Sequence, residues 1–152
     1  MLKPPSFDLS GRVVLVTGGT RGIGGGIAEA LAATGAHVIV TARNAEAVDA
    51  QARRLREAGA KASGIAFDVN DAAATMACFA AIAREHGRLD ILVNNAGMTI
   101  RKPLLEQTDA DWQAVIDTDL TSCFRMSREA ARMMIPRRHG RIIMISSINA
   151  TI

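Results

Sequence analysis

Between residues 13 and 27 the chain reads Val-Val-Leu-Val-Thr-Gly-Gly-Thr-Arg-Gly-Ile-Gly-Gly-Gly-Ile, an apolar β-branched run broken by glycines. A strand that turns through glycines into a helix leaves N–H groups at the helix start without partners. Those groups, together with the helix dipole, attract a phosphate. Gly18, Gly22 and Gly24 let the backbone approach such an anion with no Cβ in the way, and Thr20, Arg21 and Ile23 lie in the same turn. The chemistry on offer is the binding of a nucleotide pyrophosphate. The ordinary G-x-G-x-x-G spacing is not met, because the third glycine would fall at Ile27.

Elements of two kinds must position this turn. Val13–Val16 has the composition of a strand buried on both faces. A helix from about Gly22 to Thr34 follows and stops at Gly35. His37–Thr41 is a second strand, and Asn44 caps a second helix reaching Ala58. Ala62–Phe67 is a third strand, and Asn70 or Asp71 caps a helix to His86, ended by Gly87. Leu89–Val93 is a fourth strand, Thr108 caps a long fourth helix from Asp109 to Met134, and Arg141–Ser146 is a fifth strand. Five strands alternating with four helices imply βαβ units, right-handed crossovers and a doubly wound, Rossmann-like parallel sheet of the α/β class.

In such a sheet ligands lie beyond the carboxyl ends of the strands. A carboxylate ending the second strand would hold the ribose diol of NAD, but Thr41-Ala42 stands there and a guanidinium follows. Arg43 and Arg21 could clasp a 2′-phosphate, so NADP is the expected cofactor. Asp68, after the third strand, can accept a hydrogen bond from an adenine amino group with Val69 against the ring, or can simply cap a helix.

Composition narrows the partners. The 152 residues suffice for one domain and are 49% hydrophobic, so disorder is not expected. Net charge is only +3, basic residues alternate with acids, and there is no tyrosine with only one tryptophan and four phenylalanines. A nucleic-acid partner has neither a basic block nor a stacking platform. Cys78 and Cys123 stand apart in apolar surroundings and are expected as buried thiols of a reducing compartment. No run reaches membrane-spanning length and the start has no signal-peptide pattern, so a soluble cytoplasmic protein is expected. The three histidines are scattered without metal-ligand spacing.

The arrangement Thr17-Gly18-x-x-x-Gly22-Ile23-Gly24 resembles the T-G-x-x-x-G-[IL]-G signature of the short-chain dehydrogenase/reductase family. Asp68-Val69, Asn94-Asn95-Ala96-Gly97 and Ser146-Ser147 match further motifs of that family in order, so the resemblance covers nearly the whole chain. It implies that Asn95, Ala96 and Gly97 pass close to the cofactor. It also implies that Ser147, with Ser146 as its alternative, orients the oxygen of a ketone or secondary alcohol during hydride transfer. Homodimers or homotetramers packed through the long helix are common in the family. Within the family the chain looks most like the group of 3-oxoacyl-carrier-protein reductases and sugar-acid dehydrogenases.

Two departures stand out. Asp119 takes the place of the family's asparagine, beside an apolar stripe of Trp112, Val115, Ile116, Cys123 and Phe124. A carboxylate there would be costly unless paired, hydrogen-bonded or protonated, and the resemblance implies that residue 119 helps hold a water in the family's proton relay, whose ionisation state the change bears on. The family's Y-x-x-x-K pair has no counterpart, since the sequence has no tyrosine and stops at Ile152, five residues past Ser147. Ile142–Ile145 is an apolar strand expected to need a further neighbour. Residues 1–152 are therefore expected to be an NADP-binding domain forming the N-terminal part of a longer single-domain enzyme. A non-catalytic NADP(H)-binding module, or a subunit whose edge strand another chain completes, is the alternative.

Overall fold

The computed structural model describes residues 7–147. Strands β1 (Val13–Thr17), β2 (His37–Ala42), β3 (Lys61–Ala66), β4 (Ile91–Asn94) and β5 (Arg141–Met144) form one parallel sheet in the order β3-β2-β1-β4-β5. The crossovers are α1 (Gly22–Ala33), α2 (Ala45–Glu57), α3 (Ala72–His86), α4 (Asp109–Ile116) and α5 (Ser122–Met134). The doubly wound α/β expectation holds, with strand ends shifted by one or two residues.

Alternation along β1 divides the core. Val14 and Val16 join Val38, Val40, Val93 and the small or branched faces of α1 and α2, while Val13 and Leu15 join Ile39, Leu92, Phe79, Ile82 and Met126 beneath α3 and α5. Every β1 residue is buried, as expected of a central strand covered on both sides. Cys78 lies within the second layer, and burial pushes its thiol up to about 12; Cys123 is only half-buried.

The N-terminal ends of the strands are tied by one carboxylate. Asp90, wholly buried, accepts the Val13 N–H at 2.9 Å and both arms of Arg88 at 2.6 and 2.8 Å. Arg12 and Arg137 approach it at 3.5 and 3.4 Å. Burial alone would raise its pKa, but these donors and charges bring it down to about 2.

The long helix departs from expectation. Its rod is continuous from Asp109, but residues Asp117–Thr121 between α4 and α5 form a π-turn, in which the Ser122 N–H reaches back to the Asp117 carbonyl. The Ser122 hydroxyl takes the Thr118 carbonyl at 2.5 Å. Of the apolar stripe, Trp112 and Phe124 are 64% and 62% exposed, so burial within the chain does not account for them. The face on the sheet is Thr118, Ser122, Met126, Ala130 and Met134, because the wider turn changes which residues point inward. At the sheet edge, Ile142, Ile143, Met144 and Ile145 are all exposed.

Candidate nucleotide-binding cleft

The carboxyl ends of β1, β2 and β4 and the loop after β3 enclose a cleft of about 650 Å³. It gathers Gly18, Thr20, Arg21, Gly22, Arg43, Asp68, Val69, Asn95, Ala96 and Gly97, residues spread over 80 positions of sequence, on one surface. Ile23 and Gly24 lie in the first turn of α1 but do not line it, and neither Asp119 nor Ser147 does. Ala42, Asn44, Ala47, Phe67, Asn70, Met98 and Thr118 also line it, and none of them is among the residues that the sequence assigns to the site.

The start of α1 differs from that of its neighbours. Asn44 caps α2, Asp71 caps α3 and Thr108 caps α4 with a capping box, each through a side-chain oxygen. Arg21, the residue before α1, is extended and gives no side-chain cap, and the first turn of α1 holds no acidic residue. The opening amides of α1 are left to attract an anion. Asp68 is the single carboxylate among the described residues of the cleft, and Arg21 and Arg43 are exposed with no side-chain partner among them. Thr41 is wholly buried and does not line the cleft; Ala42, which ends β2, and Arg43 line it, so no carboxylate stands there for a ribose diol.

The glycine turn is held by groups of the chain itself. The Thr17 hydroxyl donates to the Val93 carbonyl at 3.3 Å and accepts from the Asn95 and Ala96 amides at 2.9 Å each. Thr17 opens the glycine motif, and its hydroxyl ties β1 to β4 instead of facing the cleft. Asn95 Nδ2 in turn donates to the Thr17 and Gly18 carbonyls at 2.9 and 3.2 Å. A Cβ on Gly24 would lie 2.3 Å from both Asn95 Nδ2 and the Gly18 oxygen, so this glycine is required by the fit of β1 against the β4 loop. Gly18 and Gly22 have positive φ, which the turn needs.

Asp68 does not cap α3, as Asp71 does. Its Oδ1 accepts the Asn70 N–H at 2.9 Å, fixing the loop with the carboxylate beside the cleft. Asp119 stands in the π-turn, exposed, with Oδ1 accepting the Met98 N–H at 2.9 Å. The desolvated carboxylate expected there is thus replaced by a solvated one with a backbone partner. Ser147 is exposed three residues beyond the end of β5, not at a strand terminus as expected. No group of three or more metal-ligating side chains occurs among the described residues, and none of their helices is long and apolar enough to cross a membrane.

This geometry coincides with that of known proteins. Residues 12–152 match the family described as short chain dehydrogenase. The chain belongs to the short-chain dehydrogenase family. It is 43% identical over 150 residues to gluconate 5-dehydrogenase of Gluconobacter oxydans (strain 621H), covering 99% of this chain and 59% of that protein. It is 43% identical over 145 residues to the 3-oxoacyl-[acyl-carrier-protein] reductase of Escherichia coli (strain K12), covering 95% and 58%. The crystal structure of a gluconate 5-dehydrogenase from Burkholderia cenocepacia J2315, in complex with NADP and tartrate, superposes with a TM-score of 0.91 at 39% identity over 97% of this chain and 58% of that one. A metagenomic short-chain oxidoreductase in complex with NADP gives 0.88 at 40% identity, covering 92% and 64%. The chain spans somewhat more than half the length of these short-chain dehydrogenases.

Proposed function

We propose that the chain is the NADP(H)-binding portion of an oxidoreductase that interconverts a ketone and a secondary alcohol. The observation that carries this is the pair of guanidiniums, Arg21 and Arg43, which have no side-chain partner among the described residues and line the same cleft as the uncapped start of α1. The opening amides of α1 receive the pyrophosphate, Gly22 from the cleft wall and Ile23 and Gly24 by the match of the motif, and Arg21 and Arg43 hold the 2′-phosphate. Asp68 accepts from the adenine amino group while Val69 packs on the ring. Asn95, Ala96 and Gly97 also line the cleft, and as small residues they admit the nicotinamide half. NADPH supplies the hydride when bound.

Ser147 is assigned to the substrate oxygen and Asp119 to the relay beside it, held by the Met98 N–H. These two assignments rest on the match of motifs, since neither residue lines the cleft. Residues 1–152 contain no tyrosine to exchange the proton. The coverage of the relatives, below two-thirds, supports placing this chain as one part of a longer single-domain enzyme. Exposed Trp112, Leu120 and Phe124 along the α4–α5 rod support pairing with a second copy, as a homodimer or homotetramer in the cytoplasm.

Fluorescence titration with NADPH and NADH tests the cofactor, and tighter NADH binding would remove the roles given to Arg21 and Arg43. Turnover against a panel of ketones distinguishes the enzyme from a non-catalytic NADP(H)-binding module, which binds and does not reduce.

A further inference from the structure

Asn70, Thr118 and Arg125 have no part in the reading above, yet they join its two ends. Asn70 directly follows the Asp68-Val69 pair, and Thr118 directly precedes Asp119. Asn70 Nδ2 donates to Thr118 Oγ1 at 2.9 Å, and that hydroxyl donates onward to Met98 Sδ at 3.4 Å. Met98 closes the chain of bonds by giving its N–H to Asp119 Oδ1. About two turns further along the rod, Arg125 Nη1 donates to the carbonyls of Asn70 and Val69 at 3.0 and 3.3 Å. Thr118 is 8% exposed, so its hydroxyl is largely shielded from water and leaving its bond unmade is costly.

We infer that Asn70, Thr118 and Arg125 are positioning residues that make the loop after β3 and the π-turn a single unit, so that an adenosine phosphate held at Asp68-Val69 also fixes Asp119. This rests on the cofactor reading above. A π-turn departs from the regular helix ladder, and among the described residues it is here that a bond from outside the helix substitutes for regularity. A ligand that orders residues 68–70 lowers the opening of whatever is bonded to them, and the bonds lead to residues 117–121.

The probe is adenosine 2′,5′-bisphosphate, which has the adenine and the 2′-phosphate but no nicotinamide. Amide hydrogen exchange is followed in the full chain with and without it. The wild type should show several-fold slower exchange both at residues 66–72 and at residues 117–122. Asn70→Ala, a change at an exposed position, and Thr118→Val should keep the ligand-induced slowing at 66–72 and lose it at 117–122. Thr118→Ser, which restores the hydroxyl, should recover it. A merely structural role would raise exchange at 117–122 equally with and without ligand, leaving the ratio unchanged. Slowing at 66–72 without slowing at 117–122 in the wild type, or full slowing at 117–122 in Asn70→Ala, overturns the inference and leaves the cofactor reading intact. Absence of any binding of the bisphosphate overturns both.

Discussion

The Asn95 side-chain amide occupies the space that a Cβ on Gly24 would need, with 2.3 Å between them. Helix propensity alone favours alanine over glycine by about 1 kcal/mol at such a position. Displacing Asn95 from two carbonyls costs about 1 kcal/mol per bond, and the clash with the Gly18 oxygen adds about 1–3 kcal/mol. Gly24→Ala should therefore be destabilised by about 2–4 kcal/mol net. Gly26→Ala, two residues on, meets nothing within 4 Å and should gain about 1 kcal/mol. Urea midpoints of the two variants should move in opposite directions.

Arg21 and Arg43 have no partner to lose among the described residues, so removing either should leave stability within about 0.5 kcal/mol of the wild type. Each should weaken NADPH by about tenfold or more, the size of a hydrogen bond to a charged group, and leave NADH unchanged. Parallel titrations of Arg21→Ala and Arg43→Ala with both cofactors check this.

Asp90 sets an acid limit. Its folded pKa of about 2 lies below the ordinary 3.8, so its stabilising effect is complete above about pH 5 and is lost as pH falls toward 2. The shift corresponds to about 2 kcal/mol. Asp90→Asn should cost about 3 kcal/mol at neutral pH, because it strips the Arg88 fork of its partner, and should flatten the stability profile between pH 5 and 2. Thermal melts across that range for both proteins provide the comparison.

His37 sets a milder acid limit at higher pH. Burial, then the His86 ring 4.4 Å away and Lys61, lower its pKa below 6.5, against a smaller opposing pull from Glu85. The folded protein resists protonating it, so stability should decline as pH falls below about 6.5 and be unaffected above. His37→Gln should lose this part of the pH dependence while keeping a side-chain partner for Ser63, which His37 Nε2 meets at 3.0 Å.

Much of the fold was legible because local signals agreed with it. Asn44, Asp71 and Thr108 cap where their types and positions indicate, and Gly35, Gly59 and Gly87 follow the helices they end. The cleft was legible because the strands of a parallel sheet deliver Gly18, Arg43, Asp68 and Asn95 to one edge. The π-turn was not, since a 3.6-residue period carries no mark of a wider turn. The Asp90 cluster was hidden for another reason. Arg12, Arg88 and Arg137 come from three separate segments, and only the packing of β1, β4 and the turn before β5 brings them to one carboxylate.

The π-turn has a consequence for how such a chain can change. Closing a hydrogen-bonded ring over five residues instead of four accommodates one extra residue in a helix with little effect on the rods at either side. Deleting a residue among 117–121 would leave Met126, Ala130 and Met134 seated on the sheet while withdrawing the carboxylate from Met98. The segment is thus a place where a lineage can gain or discard a polar group by a single-codon insertion or deletion, without rebuilding its core.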